Sequence, residues 1–322
     1  MASHSLAMKV ARSVLARPII SRTAAVCRAD LIRNNCSRTL ASAAADAPLF
    51  DADVTALYVK IFNQMRPTWQ RHIDAMNRHA ASPPATVLDI ASGPGQPAAM
   101  IAETFKSARV LSSDFSPVMV EQAKKLSTDL GLKNMECEVL DMTDMVNIPS
   151  NSIDVCTASF GYMFASDLGK ALEETYRVLR PGGLLTATMW IEMPMIPVAA
   201  TIMEEVLGHA PPPPRINPLS LKQVSSFAVP LKKAGFEQLS SDENIVNFDF
   251  GTDPDFSWRI GTVTILSKLK ELAADGKHGD VMATAKKIFA RETATWTNPA
   301  TSRLVSPDAV YRLVVAKKPE AE

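Results

Sequence analysis

Two kinds of hydrophobic pattern alternate along residues 86–190. Short apolar runs of five to seven residues, typical of buried strands, alternate with segments in which apolar residues recur every three or four positions, typical of helices. The pattern predicts strands at 86–90, 109–113, 135–140, 153–158 and 184–190, and helices at 96–105, 117–130 and 167–179. This alternation indicates parallel βαβ units with helices on both faces of one sheet.

The flanking regions follow a mainly helical pattern. Apolar residues at helical spacing predict a helix over residues 51–79, which Pro67 should kink or split. Beyond residue 190 the pattern predicts helices at 196–209, 219–234, 257–274 and 281–295, and extended stretches at 237–250 and 309–315. We therefore expect an α/β fold: a doubly wound, mostly parallel seven-stranded sheet with helices on both faces and a helical lid.

The first 45 residues differ in composition from the rest of the chain. They contain seven basic residues and one acidic residue, Asp30, and an Arg recurs every five or six positions from Arg12 to Arg38. Such an Arg-, Ser- and Ala-rich, acid-poor segment is typical of a transit peptide, and residues 38–42 resemble a matrix-processing site. We predict a mitochondrial transit peptide at 1–40, with the mature protein in the matrix or at the inner-membrane surface. A disordered basic tail is the alternative.

The composition of the chain after residue 45 argues against several classes of function. The chain has 34 Lys and Arg and 34 Asp and Glu, so removing seven and one leaves 27 basic and 33 acidic residues. Such a body lacks the basic surface of a nucleic-acid binder, and no run approaches the ~18 apolar residues of a membrane span. Cys137 and Cys156 lie in apolar runs without metal-ligand spacing. We therefore predict no nucleic-acid partner, no integral membrane span and no metal.

A glycine-rich loop follows the first predicted strand. Residues 93–98 match the dinucleotide-binding spacing Gly-x-Gly-x-x-Ala, and Asp114 lies 19 residues after Gly95, where a ribose-binding acid is expected. However, Pro94 and Pro97 each remove one of the backbone N–H groups with which such a loop holds a pyrophosphate. The loop therefore favours close backbone approach to a ligand without phosphate.

Four stretches resemble class I S-adenosylmethionine-dependent methyltransferases. They are VLDIASGPG at 87–95, SSDFSPVMVEQAKK at 112–125, the segment at 140–164, and EETYRVLRPGG at 173–183, which is the most specific. Within the class the chain is most similar to the type 11 small-molecule branch, which includes ubiquinone and menaquinone C-methyltransferases. The resemblance implies one methyltransferase domain at 48–320, with a helical cap at 50–80, a cofactor-binding core at 85–190, and a lid and C-terminal part at 191–320.

The resemblance also implies S-adenosylmethionine as the cofactor and ten binding residues at the carboxyl ends of parallel strands. The backbone at Ala91 (more often Gly in the family), Gly93 and Gly95 would approach the methionine portion, and Asp89 would lie near its amino group. The other six would contact the ribose (Asp114), the adenine (Phe115, Met119, Asp141 and the Met142 backbone N–H) and the methionine chain (Phe160).

Two of these residues have structural alternatives. A strand-end carboxylate such as Asp114 is often a helix N-cap, and an aromatic residue after a strand, such as Phe160, is often part of the core. An NAD-dependent oxidoreductase is a further alternative for the whole site, disfavoured by the two loop prolines.

The implied methyl acceptor is a small, apolar or aromatic molecule that is methylated on carbon or oxygen. The general base is not identified; His72 and His209 are candidates, and a surface histidine is the alternative for each. An acceptor pocket is expected among apolar residues that could equally serve as core: Tyr58, Met65, Trp69, residues 162–164 and residues 190–197. A methyltransferase-fold assembly factor for an organellar complex, without turnover, is the alternative function.

We predict that residues 1–45 direct a fused fluorescent protein to mitochondria and are cleaved near Leu40, because the segment combines regular Arg spacing with almost no acid. Fluorescence microscopy and N-terminal sequencing of the organellar protein are the measurements. A fusion in which the Arg residues are replaced by Gln is the control. Cytosolic fluorescence of the unmodified fusion would contradict the prediction.

Overall fold

The structure is a computed structural model that describes Leu57, residues 59–212 and residues 217–320. The predicted transit peptide at 1–40 and the predicted pocket residue Tyr58 lie outside the described residues. Residues Pro48–Glu322 form one compact unit.

Seven of the nine strands in the described chain form one large sheet. The nine strands are β1 Thr86–Ile90, β2 Arg109–Asp114, β3 Met135–Val139, β4 Ile153–Ser159, β5 Leu179–Glu192, β6 Glu237–Val246, β7 Asp249–Gly251, β8 Leu304–Val305 and β9 Ala309–Lys317. The large sheet has the order β3-β2-β1-β4-β5-β9-β6, while β7 and β8 pair with each other in a second sheet. In the large sheet β9 runs in the direction opposite to the other six strands, because it pairs antiparallel with both β5 and β6. The predicted α/β fold with a mostly parallel seven-stranded sheet is confirmed.

Helices cover both faces of this sheet. The helices are α1 Arg66–His79, α2 Ala98–Thr104, α3 Pro117–Asp129, α4 Leu168–Val178, α5 Met195–Leu207, α6 Val224–Lys233, α7 Pro254–Gly261, α8 Leu266–Asp275 and α9 Val281–Glu292. The connections through α2 and α3 step outward from β1 to β3, whereas the connection through α4 steps the other way, from β4 to β5. Because such crossovers are right-handed, α4 lies on the face opposite α2 and α3.

The described chain has two apolar clusters. The larger one contains the buried side chains of the sheet and of the helices against it. The smaller one joins α5, α7, α8 and α9 through residues such as Ile202, Trp258, Leu269 and Ile288, and it corresponds to the predicted helical lid. None of the described helices is both long enough and apolar enough to cross a bilayer.

Element boundaries differ from the sequence prediction in several regions, including 179–192 and 257–274. The helix predicted at 257–274 is two helices, because α7 ends at Gly261 and the hydroxyl of Thr262 turns back to donate to the Trp258 carbonyl. The strand predicted at 184–190 is longer than predicted, because β5 begins at Leu179 and includes residues 181–183. There the Gly183 carbonyl accepts a hydrogen bond from Lys318, the residue after β9.

Candidate functional site

The candidate site lies where β1, β2, β3 and β4 end. Parallel strands present their carboxyl ends at one edge of the sheet, and ligands of doubly wound folds bind outside that edge, at the point where the strand order reverses. In this sheet β1 lies at that point, between β2 and β4. The loop after β1 is therefore the centre of the site.

The side chain of Asp89 stabilises the loop after β1 through hydrogen bonds. This side chain is completely buried; Oδ2 accepts from the Ala98 backbone N–H at 3.1 Å and Oδ1 accepts from the Thr157 hydroxyl at 2.5 Å. Burial raises the pKa of Asp89 to about 7, against these hydrogen bonds, and the nearby Asp114 charge raises it further. The carboxylate thus links β1, the first turn of α2 and β4.

The first-turn N–H groups of α2 all have partners within the protein. Besides the bond from Ala98 to Asp89, the N–H of Ala99 donates to the Gly95 carbonyl at 2.9 Å, and that of Met100 donates to the Gln96 side chain at 3.3 Å. A phosphate at a helix N-terminus needs free N–H groups and a positive potential. Here the Asp89 carboxyl group and two other oxygens already accept from these N–H groups, so the geometry agrees with a ligand that carries no phosphate at this position.

Glycine is needed at two positions of the loop for different structural reasons. Both have positive φ angles, +56° at Gly93 and +103° at Gly95, which glycine adopts without steric cost. A Cβ at Gly95 would lie 3.0 Å from the Ala123 backbone, so this glycine permits close packing against α3. A Cβ at Gly93 would meet nothing within 4 Å. Gly93 therefore borders open space in which a ligand can approach the backbone.

Asp114 connects the same loop to β2. Its Oδ2 accepts from the Gly93 N–H at 2.9 Å, and its Oδ1 accepts from the N–H of Ser116, the N-cap residue of α3, at 2.8 Å. Burial raises the pKa of Asp114. Asp114 is therefore not the N-cap of α3: its bond to the N–H two residues later is an Asx turn, which leads the chain from β2 into the helix. Each carboxylate oxygen has a second lone pair, so the residue can also accept ligand hydroxyls.

The remaining predicted residues after β2 and β3 line the neighbouring part of the edge. Asp141 accepts through Oδ1 from both the backbone N–H and the hydroxyl of Thr143, at 2.8 and 2.7 Å. Phe115 and Met142 are half-buried and Met119 is buried. Their assignment to the adenine stays a prediction.

Phe160 forms the turn after β4. It has φ +56°, which is uncommon for a residue with a side chain, and its ring stacks on Trp190 with 4.1 Å between centroids. The next residue, Gly161, lies against the loop after β1, because a Cβ on Gly161 would be 2.9 Å from the Ala91 methyl group. Ala91 itself has φ +54°. The Phe160 turn and the loop after β1 are thus in direct contact.

The two candidate histidines have opposite environments. His209 is exposed, and its ring nitrogen Nδ1 lies 3.0 Å from the Ala210 carbonyl. The surface alternative is wrong for His72, which is fully buried on α1 with Nδ1 2.8 Å from the Thr186 hydroxyl and Nε2 3.5 Å from that of Thr188. Burial lowers the pKa of His72 to about 3, so the ring is neutral at physiological pH.

Sequence reasoning missed three residues that shape the site. Thr157 supports Asp89 from β4, Thr188 supports Phe160 from β5, and Gly161 makes room for Ala91. The available signal was the presence of polar residues inside strands that are otherwise apolar. Buried polar groups need hydrogen-bond partners, so each threonine indicated a partner on a neighbouring element.

The fold is doubly wound, and its candidate site lies at the carboxyl edge of the parallel strands. Residues 87–183 match the family described as a methyltransferase domain. The segment is a class I S-adenosylmethionine-dependent methyltransferase domain, and the cofactor of this domain is S-adenosylmethionine. The resemblance noted in the sequence is confirmed at this level.

Curated relatives come from quinone biosynthesis. The demethylmenaquinone methyltransferase of Thermus thermophilus is 34% identical over 134 residues, which are 41% of this chain and 57% of that protein. A ubiquinone/menaquinone biosynthesis C-methyltransferase of Rickettsia bellii is 38% identical over 104 residues, 31% of this chain and 42% of that protein. The chain thus spans about half the length of the curated relatives that it matches.

The fold has a similar solved structure, the cyclase SpnF. It is 20% identical, with a TM-score of 0.50 over 79% of this chain and 81% of that one. This likeness supports the fold alone. Since that protein is named a cyclase, the fold by itself does not assign a reaction.

We predict that His72→Gln changes how stability depends on pH. Below pH 6.5 the unfolded chain protonates His72 and the folded chain does not, so the free energy of unfolding falls by about 1.4 kcal/mol per pH unit. Asp89 acts oppositely: its raised pKa lets the folded chain keep a proton that the unfolded chain releases, which adds stability as the pH falls from about 7 to 3.8. In His72→Gln the contribution of His72 to the pH dependence of the free energy of unfolding is lost, and the contribution of Asp89 remains.

Urea unfolding at pH 7.0 and pH 5.0 is the measurement. Relative to wild type, His72→Gln should gain about 2 kcal/mol between these pH values. Thr186→Val is the matched control, because it removes a hydrogen-bond partner but keeps the buried histidine, and it should follow the wild-type slope. Parallel pH curves for wild type and His72→Gln would contradict the assignment.

Proposed function

We propose that this chain transfers the methyl group of S-adenosylmethionine to a small, apolar or aromatic acceptor, on carbon or oxygen. The observation that carries the proposal is the loop after β1. Gly93 borders open space, the α2 N-terminus is already occupied by Asp89, and Asp114 accepts from the loop backbone. These features fit a cationic cofactor without phosphate.

The charges of the site match those of the cofactor. S-adenosylmethionine carries positive amino and sulfonium groups, and opposite charges favour the ionised form of nearby carboxylates. Asp89 and Asp114 interact electrostatically and are both largely buried, so a cation beside them would relieve their mutual repulsion. Asp114 would accept the ribose hydroxyls, and Asp141 the adenine amino group.

The protein has to align the acceptor with the methyl group and exclude water from the site. The bound cofactor supplies a methyl group that is activated by the positive sulfur. Alignment of reactants can contribute ~7–11 kcal/mol to such a displacement, so no catalytic dyad is required. The buried, stacked rings of Phe160 and Trp190 form an apolar wall beside the loop.

The acceptor is proposed to be a quinone-pathway or related aromatic molecule. The relatives named for demethylmenaquinone and ubiquinone/menaquinone methylation support this class. So does the aromatic cluster at the edge of β5, where Tyr311 packs edge-on to Phe160 and Trp190. Sites for flat apolar ligands are commonly lined by such side chains. We propose that the protein acts in mitochondria, on the basis of its N-terminal composition.

Cofactor binding tests the proposal directly. The purified chain should bind S-adenosylmethionine and S-adenosylhomocysteine in calorimetry and should not bind NAD or NADP, because the α2 N–H groups have partners and two loop positions are prolines. Incubation with a prenylated hydroquinone should then release S-adenosylhomocysteine. Binding of NAD without S-adenosylmethionine would overturn the proposal. If the chain binds the cofactor but methylates no component of an organellar extract, the assembly-factor alternative is favoured.

We predict that Asp114→Ala weakens cofactor binding roughly 10- to 1000-fold, since two charge-assisted hydrogen bonds of ~1.5–3 kcal/mol each are lost and water softens the loss. The variant should also be about 1–2 kcal/mol less stable, because the hydrogen bonds that the Asp114 carboxylate accepts from the Gly93 and Ser116 N–H groups are lost. Asp114→Asn, which keeps one acceptor, should fall between wild type and Asp114→Ala.

Calorimetry and thermal unfolding of both variants check this prediction. Asp129→Ala is the matched control for loss of one carboxylate, because Asp129 is exposed on α3 and forms a surface ion pair with Lys125. Normal cofactor affinity in Asp114→Ala together with a lower melting temperature would limit Asp114 to a structural role in the loop.

A further inference from the structure

A buried polar pair, His72 and Thr188, connects α1 to the turn at the end of β4. Both side chains are inaccessible to solvent. Thr188 Oγ1 lies 3.5 Å from His72 Nε2 and 3.1 Å from the backbone nitrogen of Phe160, whose N–H also points to the Thr188 carbonyl at 3.2 Å. One hydroxyl is thus shared between a helix side chain and a backbone group of the site.

The neutral Nδ1–H tautomer of His72 satisfies every polar group of this pair. Thr188 Oγ1 accepts from the Phe160 N–H, and the Thr188 hydroxyl can donate to His72 Nε2. The His72 Nδ1–H then donates to Thr186 Oγ1 at 2.8 Å. Both ring nitrogens have a partner in this arrangement.

The Phe160 turn is the part of the site that most needs such support. A residue with a side chain at φ +56° adopts an unfavourable backbone conformation, which persists only where its surroundings hold it. The turn determines two contacts: the ring of Phe160 on Trp190, and the Gly161 backbone against Ala91 in the loop after β1. A shift of the turn would therefore move one wall of the cofactor site.

We propose that His72 and Thr188 are positioning residues that hold the Phe160–Gly161 turn against the loop after β1 and so maintain cofactor affinity. This inference rests on the proposed function, because it concerns the same site. Thr186 provides an internal comparison: it binds His72 from the same face of β5, is equally buried, and makes no hydrogen bond to Phe160.

The experiment compares three isosteric or conservative variants. Thr188→Val removes the shared hydroxyl and should weaken S-adenosylmethionine binding about tenfold, equivalent to ~1.4 kcal/mol. Thr186→Val should leave affinity within about twofold of wild type, and Thr188→Ser should restore it, because the hydroxyl returns. Calorimetry with S-adenosylmethionine gives the affinities, and thermal unfolding shows that each variant is folded.

Amide hydrogen exchange in the cofactor-free chain is the second measurement. In Thr188→Val, peptides covering residues 159–162 should exchange faster than in Thr186→Val, because only the first substitution removes an acceptor of the Phe160 N–H. His72→Leu should resemble Thr188→Val in both measurements, and the double variant should be no weaker than the weaker single one, since both residues act on the same turn.

The outcomes separate this inference from the proposed function. A wild-type chain that fails to bind S-adenosylmethionine would overturn the proposed function and, with it, the role of the pair in cofactor affinity. A wild-type chain that binds, with Thr188→Val binding equally well or Thr186→Val equally weakened, would overturn the inference alone. Unchanged exchange at residues 159–162 in Thr188→Val would overturn it as well.

Discussion

The geometry of the candidate site depends on the hydrogen bonds of one buried carboxylate, that of Asp89. It accepts from Ala98 at the start of α2 and from Thr157 on β4, so one side chain fixes a helix and two strands relative to each other. Burying a carboxylate is costly unless hydrogen bonds compensate, and here both oxygens have partners. The cost is visible in the pKa of Asp89, which burial raises to about 7.

This interaction also selects the charge of the ligand. In phosphate-binding loops the helix N-terminus is left open to an anion, whereas in this protein Asp89 occupies that position. A second anion beside Asp89 and Asp114 would meet like charges in a poorly solvated site, which is unfavourable. A cation is favoured at the same position. The glycine spacing shared with dinucleotide-binding loops is thus combined with the opposite electrostatic preference.

Local patterns predicted the fold and the strand-end residues, but not the contacts between strands. The strand and helix pattern of 86–190 and the acids after β1, β2 and β3 follow from periodicity and residue type. The partnership of Asp89 with Thr157 depends on register between strands 68 positions apart in the chain. The burial of His72 likewise depends on which face of α1 packs on β5. Such long-range pairings are not encoded in a short window of sequence, so a surface position for His72 was a reasonable but wrong alternative.

The smaller of the two apolar clusters lies largely outside the segment that matches the family. The family match ends at residue 183, before Trp190 and before the cluster of α5, α7, α8 and α9. Met195, Phe256 and Trp296 pack against both clusters, so the helical part is attached to the sheet through apolar contacts beyond the matched segment. The strand edge lies within the matched segment, and the helical cluster lies outside it. Since a common fold carries many different reactions, we expect selection among acceptors to depend on residues outside the match.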